Sequence, residues 1–361
     1  MESVTLDALD RRLVHALQLD GRLPFSRIAA AVGVPERTVA RRYHRLRSRL
    51  ALRVVGLVDG RRTGMLDWIV RVRCAPEAVE TLAVLLARRD DTSWIAPLVG
   101  GTELTCMIRT PPPGDDGRRP FFEQLARTAG VREVRAACVL RPVAGVGGWA
   151  GRMDALGEAE QCLLLPPRPA PTDPAHPTDP ADPTDPTDPT DQTEALPVLS
   201  PADSALLRAL AQDGRADLRR LASASGCSES TVRRRIGQLR DSGVLAFEVE
   251  IDPALFGYPI EALLWLDVPP AGLRTVAEGL AGHRQVAFAA LTTGPSSVFV
   301  MVECRSVSGL HAYVTDELAA LHGITRIESA VTQRRTKRAG PLPATLAEKR
   351  AGAPSGRAAA Q

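Results

Sequence analysis

Apolar side chains at Leu6, Leu9, Leu13, Ala16 and Leu17 recur at helical spacing until Asp20-Gly21-Arg22 breaks the pattern, which predicts a first helix. A second, shorter helix is expected from about Pro24 to Val32, with Phe25, Ile28, Ala29 and Val32 inward and Pro24 in its first turn. Gly33-Val34-Pro35 then leads into a longer basic helix whose Val39, Tyr43 and Leu46 form one buried stripe. A short glycine-bearing turn between two such helices is the pattern of a helix-turn-helix. The same pattern returns later in the chain. Residues 6–59 laid over 199–252 pair Leu13 with Leu206, Leu17 with Leu210, Val39 with Val232, and Asp20-Gly21-Arg22 with Asp213-Gly214-Arg215. In this second copy the short helix runs from Leu218 to Ser225 and the turn is Gly226-Cys227-Ser228. Ser228 is a natural N-cap for a last helix carrying Val232, Ile236 and Leu239 inward.

Each of these readers is followed by segments in the order β, α, β, β, α, β. In the first half, strands are expected near Trp68–Cys74, Thr92–Val99, Thr102–Thr110 and Val131–Leu140, with helices near Glu77–Arg89 and Phe121–Thr128. In the second half, strands are expected near Ile260–Val268, Val286–Thr293, Ser297–Cys304 and Ile324–Thr332, with helices near Leu273–His283 and Val307–Ala320. This order makes an α+β ferredoxin-like sandwich, an antiparallel sheet with both helices on one face. The other face needs cover. A second copy in the same chain supplies it, so an intramolecular pseudo-dimer packed sheet to sheet is expected, with Val70, Val72, Leu264 and Leu266 on the covered face and a domain-swapped dimer or higher homo-oligomer of chains left open.

The chain has 361 residues, 44% hydrophobic and 24% charged, enough for several domains. The organisation expected is a reader at 1–60, a ferredoxin-like domain at 61–145, and a disordered Pro/Thr/Asp-rich linker at 146–198. The second reader follows at 199–254, the second ferredoxin-like domain at 255–338, and a disordered tail at 339–361. Within the linker, residues 166–197 run as proline-punctuated triplets with seven acids against one arginine, the composition of a semi-stiff tether. No apolar stretch reaches the ~18–20 residues of a membrane span, and Met1-Glu2-Ser3-Val4-Thr5 does not open a signal peptide, so a cytoplasmic location is expected. Six cysteines stand singly, without C-x-x-C spacing, which disfavours a metal site, a cluster or a disulfide framework; no metal or cofactor is expected.

A net charge of +3 does not by itself point to nucleic acid, but its distribution does. Residues 6–59 hold eleven arginines against five acids, whereas residues 199–252 hold eight against eight. The first reader is therefore expected to supply more of the salt-dependent attraction to phosphate. On its last helix, the face opposite the buried stripe shows Arg37, Arg41, His44 and Arg45, with Thr38 beside them; guanidinium groups there can pair with guanine edges or clamp phosphates. The second reader shows Ser230, Arg234, Gly237 and Gln238, with Thr231 and Arg233 alongside. Double-stranded DNA is the expected partner. Arg42 and Arg235 lie at the edge of the stripe, where bracing the fold and touching DNA are both open. The basic run Arg334-Arg335-Thr336-Lys337-Arg338 is expected to be a solvated preface to the tail.

Two glycine turns between the second and third strands of each ferredoxin-like unit carry polar side chains: Gly100, Thr102 and Glu103, and Gly294, Ser296 and Ser297. They are candidates for an effector's ammonium and carboxylate groups, and plain hairpin turns that need glycine would look the same. The run Leu6-Asp7-Ala8-Leu9-Asp10 through Asp20-Gly21-Arg22, with Val39-Ala40-Arg41-Arg42 and Ser228-Glu229-Ser230-Thr231-Val232-Arg233-Arg234-Arg235-Ile236, resembles the Lrp/AsnC family of transcription regulators. The resemblance implies a winged helix-turn-helix followed by a ferredoxin-like domain that dimerises through its sheet, often with an amino-acid effector near the glycine turn. Family members commonly carry Gly-x-x-Asp there; Glu103 keeps an acid and Ser297 does not, so sensing is expected through the first half. Catalysis is not expected. Certain tetrapyrrole decarboxylases of the siroheme type resemble the same architecture, but His283, His311 and His322 all fall in the second half without first-half counterparts. A non-catalytic effector-sensing adaptor is the remaining alternative.

Overall fold

The computed structural model describes residues 5–49, 51–112, 121–145, 149, 151, 154–165 and 199–342. Each reader has three helices: α1 (Ala8–Leu19), α2 (Phe25–Val32) and α3 (Glu36–Ser48) in the first, α7 (Pro201–Gln212), α8 (Leu218–Ser225) and α9 (Glu229–Asp241) in the second. One strand follows each, β1 (Leu52–Val58) and β6 (Leu245–Ile251), and the two pair antiparallel with each other, from Leu52 opposite Ile251 to Val58 opposite Leu245. Neither strand was expected from the sequence pattern. Their pairing joins the two halves at the level of the readers.

The rest of the first half is β2 (Leu66–Cys74), α4 (Pro76–Ala87), β3 (Thr92–Pro97), β4 (Glu103–Thr110), α5 (Phe121–Ala126) and β5 (Val131–Ala144). The second half repeats it as β7 (Ile260–Asp267), α10 (Leu273–Gly282), β8 (Val286–Thr292), β9 (Val298–Cys304), α11 (Val307–Ala312) and β10 (Arg326–Val331), with a π-helical turn at Tyr313–Leu318 continuing α11. All eight strands form one sheet in the order β10-β7-β9-β8-β5-β2-β4-β3. The last strand of the first unit thus lies beside the second strand of the other, with Val139 opposite Thr292. The reciprocal edge is closed by bridges from Ile95 to Lys337 and from Leu98 to Thr332.

These crossings correct two expectations. Arg335, Thr336 and Lys337 are buried, because they complete a strand edge against the first half: Arg335 Nε bonds Glu261 at 2.7 Å, and Lys337 Nζ caps the Arg89 carbonyl and Thr92. Val70 and Val72 pack beneath α4 with Leu82 and Leu86, and Leu264 and Leu266 pack beneath α10 with Val276 and Leu280. The face shared by the two units is the alternate set, in which Ile69, Met107 and Trp94 meet Leu263, Trp265, Phe299 and Met301. Arg71 is among them, its guanidinium 4.5 Å from the Trp265 ring centre.

A third correction concerns the linker. Trp149 and residues 154–165 are packed, with helix α6 (Glu158–Leu164) lying against α2; Trp149, Leu156 and Leu164 are buried in the same core as the first reader. Three apolar side chains anchor this short segment in the core. Residues 166–198 and 343–361, expected to form the tether and most of the tail, lie outside the described residues.

The Asp-Gly-Arg runs, expected only to stop a helix, interlock the readers. Arg22 donates to the carbonyls of Gly214 and Ala216 at 2.6 and 3.1 Å, and Arg215 donates to those of Gly21 and Leu23 at 2.7 and 2.9 Å. Arg47 pairs with Asp213 at 2.6 Å, and its counterpart Arg240 pairs with Asp20 at 3.0 Å. The glycine is required by this closeness, since a Cβ on Gly21 would sit 2.7 Å from Val54 Cγ1 and 2.8 Å from Phe247 Cβ. Gly21→Ala is expected to cost ~1–3 kcal/mol as overpacking, measured by denaturant unfolding. A protein cleaved at a protease site placed within 166–198 should still sediment as one species of full mass; two half-mass species would show that the strand and arginine crossings do not hold the halves together.

Candidate nucleic-acid interface

The two recognition helices are set by the same local devices. Gly33 and Gly226 end the preceding helices in the left-handed region, at φ of 72° and 70°, where a side chain is disfavoured. Ser228 then caps α9, its Oγ accepting from the Thr231 amide at 3.2 Å. The inward stripes are as expected, Val39, Tyr43 and Leu46 in α3 and Val232, Ile236 and Leu239 in α9.

Arg42 and Arg235, open between two roles in the sequence, both brace the fold. Buried Asp10, inside a reciprocal capping box with Asp7, receives Arg42 Nη1 at 3.0 Å and Arg45 Nη2 at 2.5 Å. Asp203 receives Arg235 in bidentate fashion, at 2.5 and 2.7 Å, and also Ser200 Oγ at 2.7 Å. That charged pairing drives the Asp203 pKa down to about 2. In each reader the recognition helix is thus pinned to the start of the first helix by an aspartate–arginine bond.

On the outward faces, Arg37, Arg41 and His44 are exposed, Thr38 is half-buried, and Arg45 is exposed but paired with Asp10. In the second reader Ser230, Arg233, Arg234 and Gln238 are exposed, while half-buried Thr231 exchanges a hydrogen bond with Ser228. Among the described residues, Arg37, Arg41, Arg233 and Arg234 have no intramolecular hydrogen bond or ion pair, so each helix offers two uncommitted guanidinium groups. This narrows the expected charge contrast between readers. Much of the first reader's surplus is committed inside the protein, with Arg12, Arg42, Arg45 and Arg47 in ion pairs and Arg22 and Arg27 on backbone carbonyls. The pairing of β1 with β6 also brings exposed Arg62 of the first half near Gly243, just beyond α9. No pattern within one half could have placed it there. A second difference is steric: where the first reader has Leu9, Val32 and Arg45, the second has Ala202, Ser225 and Gln238, and a groove of about 340 Å³ opens beside α9.

The proposed effector residues are arranged differently from the expectation. Gly101 and Gly294 have φ of +70° and +97°, so each turn does require glycine for its backbone. Gly100 and Gly294 are exposed, and Thr102 and Ser296 are half-buried at the same turns. Glu103 is not free to meet an ammonium group: its carboxylate receives Arg71 Nε at 2.6 Å and Arg73 Nε at 3.1 Å, and these contacts hold its pKa below the usual carboxylate range against the opposing effect of burial. A small cavity of about 30 Å³ lies among Arg71, Arg73, Glu103, Glu133, Arg135 and Glu328. Ser297 Oγ bonds the backbone of Val268. Among the described residues, no group of three or more His, Cys, Asp or Glu side chains is placed to hold a metal, and no helix is long and apolar enough to cross a membrane.

Comparison with known proteins bears on the domains. The AsnC-type helix-turn-helix domain matches twice, at residues 6–47 and 199–240, and the Lrp/AsnC ligand binding domain matches residues 261–342. An uncharacterised helix-turn-helix-type transcriptional regulator of Pyrococcus abyssi is 33% identical over 134 residues, 37% of this chain and 85% of that protein. The transcriptional regulator FL11 of Pyrococcus horikoshii is 28% identical over 146 residues, 40% of this chain and 96% of that protein. Among solved structures, the siroheme decarboxylase NirDL aligns over 96% of this chain and 97% of its own with a TM-score of 0.57 at 13% identity, a likeness of fold alone.

The aspartate–arginine pins give a pH test of the second reader. A carboxylate with a depressed pKa stabilises the fold fully above the ordinary aspartate value and loses that contribution as pH falls toward 2. Asp203→Asn is therefore expected to lose about 2 kcal/mol at neutral pH and to show a flatter stability profile between about pH 4 and 2, read by denaturant titration at each pH.

Proposed function

The chain belongs to the Lrp/AsnC family of transcriptional regulators, and we propose that it binds an operator of two unlike half-sites with the two readers of a single chain. The observation that carries this reading is the pair of uncommitted arginines on each of two recognition helices that are rigidly pinned from behind. An arginine with no internal partner keeps its full capacity for a guanine edge or a phosphate, and a helix held at its base loses little freedom on docking. Arg41 and Arg234 occupy equivalent positions and are assigned a shared base contact. Arg37 stands where the second reader has Ser230, and His44 where it has Gly237, so the neighbouring bases should differ between half-sites.

A small effector is part of the same proposal, and the two turns support it unequally. At the first, a ligand ammonium would have to compete with Arg71 and Arg73 for Glu103. The ligand-binding domain of the family matches the second half, where Ser297 offers a hydroxyl already bonded to backbone. Catalysis is not assigned. His283 bonds Tyr313, His322 bonds the Ala320 carbonyl, and exposed His311 sits on α11.

Binding-site selection on random DNA should return an operator without palindromic symmetry. Arg41→Ala and Arg234→Ala should each cost ~1–3 kcal/mol and relax preference at one position, in different half-sites. A perfect palindrome, with both variants relaxing the same base, would point instead to two chains each using one reader. Decarboxylation of siroheme with carbon dioxide release would overturn the non-catalytic assignment.

A further inference from the structure

Among the described residues, the segment holding α6 has no counterpart on the second reader. It reaches α1 and α2 through three kinds of bond: Arg12 pairs with Glu160, Arg27 donates to the carbonyls of Leu163 and Leu164 at 3.1 and 2.9 Å, and the Leu156 amide donates to His15 Nδ1 at 3.0 Å. At its other end the segment is fixed to the opposite half. Trp149 donates to the Arg284 carbonyl at 2.9 Å and stands edge-on to Tyr258, and Asp154 pairs with Arg284, in the turn between α10 and β8. The first reader is thereby strapped to the second ferredoxin-like domain, while the position equivalent to His15 in the second reader is exposed Arg208.

We propose that residues 154–165, with Trp149, form a latch on the first reader alone, and that neutral His15 is its pin. His15 is 1% exposed and its Nδ1 is the acceptor, so the ring carries its proton on Nε2. Adding a second proton turns that acceptor into a donor facing the Leu156 N–H, which removes the bond and sets two donors against each other. The charged groups acting on the ring are Asp154 and Glu160, each already paired, with Arg284 and Arg12. Burial outweighs their pull and holds the His15 pKa below the ordinary histidine value. The sign follows from linkage: the closed latch is undiminished above ~6.5, and closure weakens by at most about tenfold per pH unit as pH falls below that value, where the released His15 takes up a proton that the closed form does not.

This inference does not depend on what the readers bind. Hydrogen exchange of the full chain, corrected for the intrinsic pH dependence of exchange, tests it between pH 7.5 and 5.5. Protection of 154–165 and of α2 is expected to fall with pH while α7 and α8 keep theirs. His15→Gln, whose side-chain oxygen can accept from Leu156 without titrating, should keep the segment protected at both pH values. Arg27→Ala should open it at both. Unchanged protection of 154–165 in the wild type, an equal loss in both readers, or a His15→Gln profile that follows the wild type would each overturn the proposal. The wild-type profile decides the matter even for a variant that does not fold.

Discussion

Arg22 and Arg215 each cross from one half of the chain to the other to satisfy backbone carbonyls in the opposite Asp-Gly-Arg turn, and the relative placement of the two readers depends on that exchange. Four hydrogen bonds from charged donors would each be worth roughly 1.5–3 kcal/mol if formed without cost, and here they replace water on carbonyls at a contact too tight for a side chain at Gly21. The Arg47–Asp213 and Arg240–Asp20 pairs tie each recognition helix into the same knot. Removing one of these two guanidinium groups would leave two carbonyls at the junction unpaired. The readers are therefore one rigid unit rather than two modules on a string, and the paired strands β1 and β6 carry that unit on the closed eight-stranded sheet.

The closure of the sheet explains why the buried charges are where they are. Joining the last strand of each unit to the second strand of the other brings polar chain across a mostly apolar face. Arg71 and Arg335 answer this in parallel ways. Each lays its guanidinium over a tryptophan of the opposite half, Trp265 and Trp94, and bonds a glutamate, Glu103 or Glu261. A cation largely shielded from water that is both stacked and ion-paired avoids most of the desolvation penalty that a lone charge would meet. The same commitment places two guanidinium groups on the Glu103 carboxylate, one at each oxygen.

The helices and the β, α, β, β, α, β order were legible because their hydrophobic periods are strong and local, down to the inward stripes of α3 and α9. The paired strands β1 and β6 were not, since Leu52–Val58 finds its partner almost two hundred residues away and a lone strand has no local signature. The face of the sheet was misassigned for a different reason. Along Trp68-Ile69-Val70-Arg71-Val72 both alternating sets contain apolar residues, because both faces are covered, so parity alone could not choose between Ile69 and Val70. Charge was the hardest to place. Eleven arginines in one segment look alike in sequence, yet Arg41 is uncommitted while Arg42 and Arg45 are spent on Asp10, a residue at the far end of the reader.

The two copies within this chain show which constraints govern which residues. Asp20-Gly21-Arg22 and Asp213-Gly214-Arg215 are the same three residues, and so are the pins Asp10 with Arg42 and Asp203 with Arg235. These are the positions where one half must fit the other or a helix must be held in register. On the outward faces the copies part: Arg37 against Ser230, His44 against Gly237, Arg45 against Gln238. In a symmetric dimer any substitution on a recognition helix alters both half-sites at once, so change on one side is bound to change on the other. Covalent fusion removes that bond between the copies while the arginine exchange keeps their geometry fixed. Divergence is then free on the surface that faces outward and forbidden at the junction, which is the distribution the two halves display.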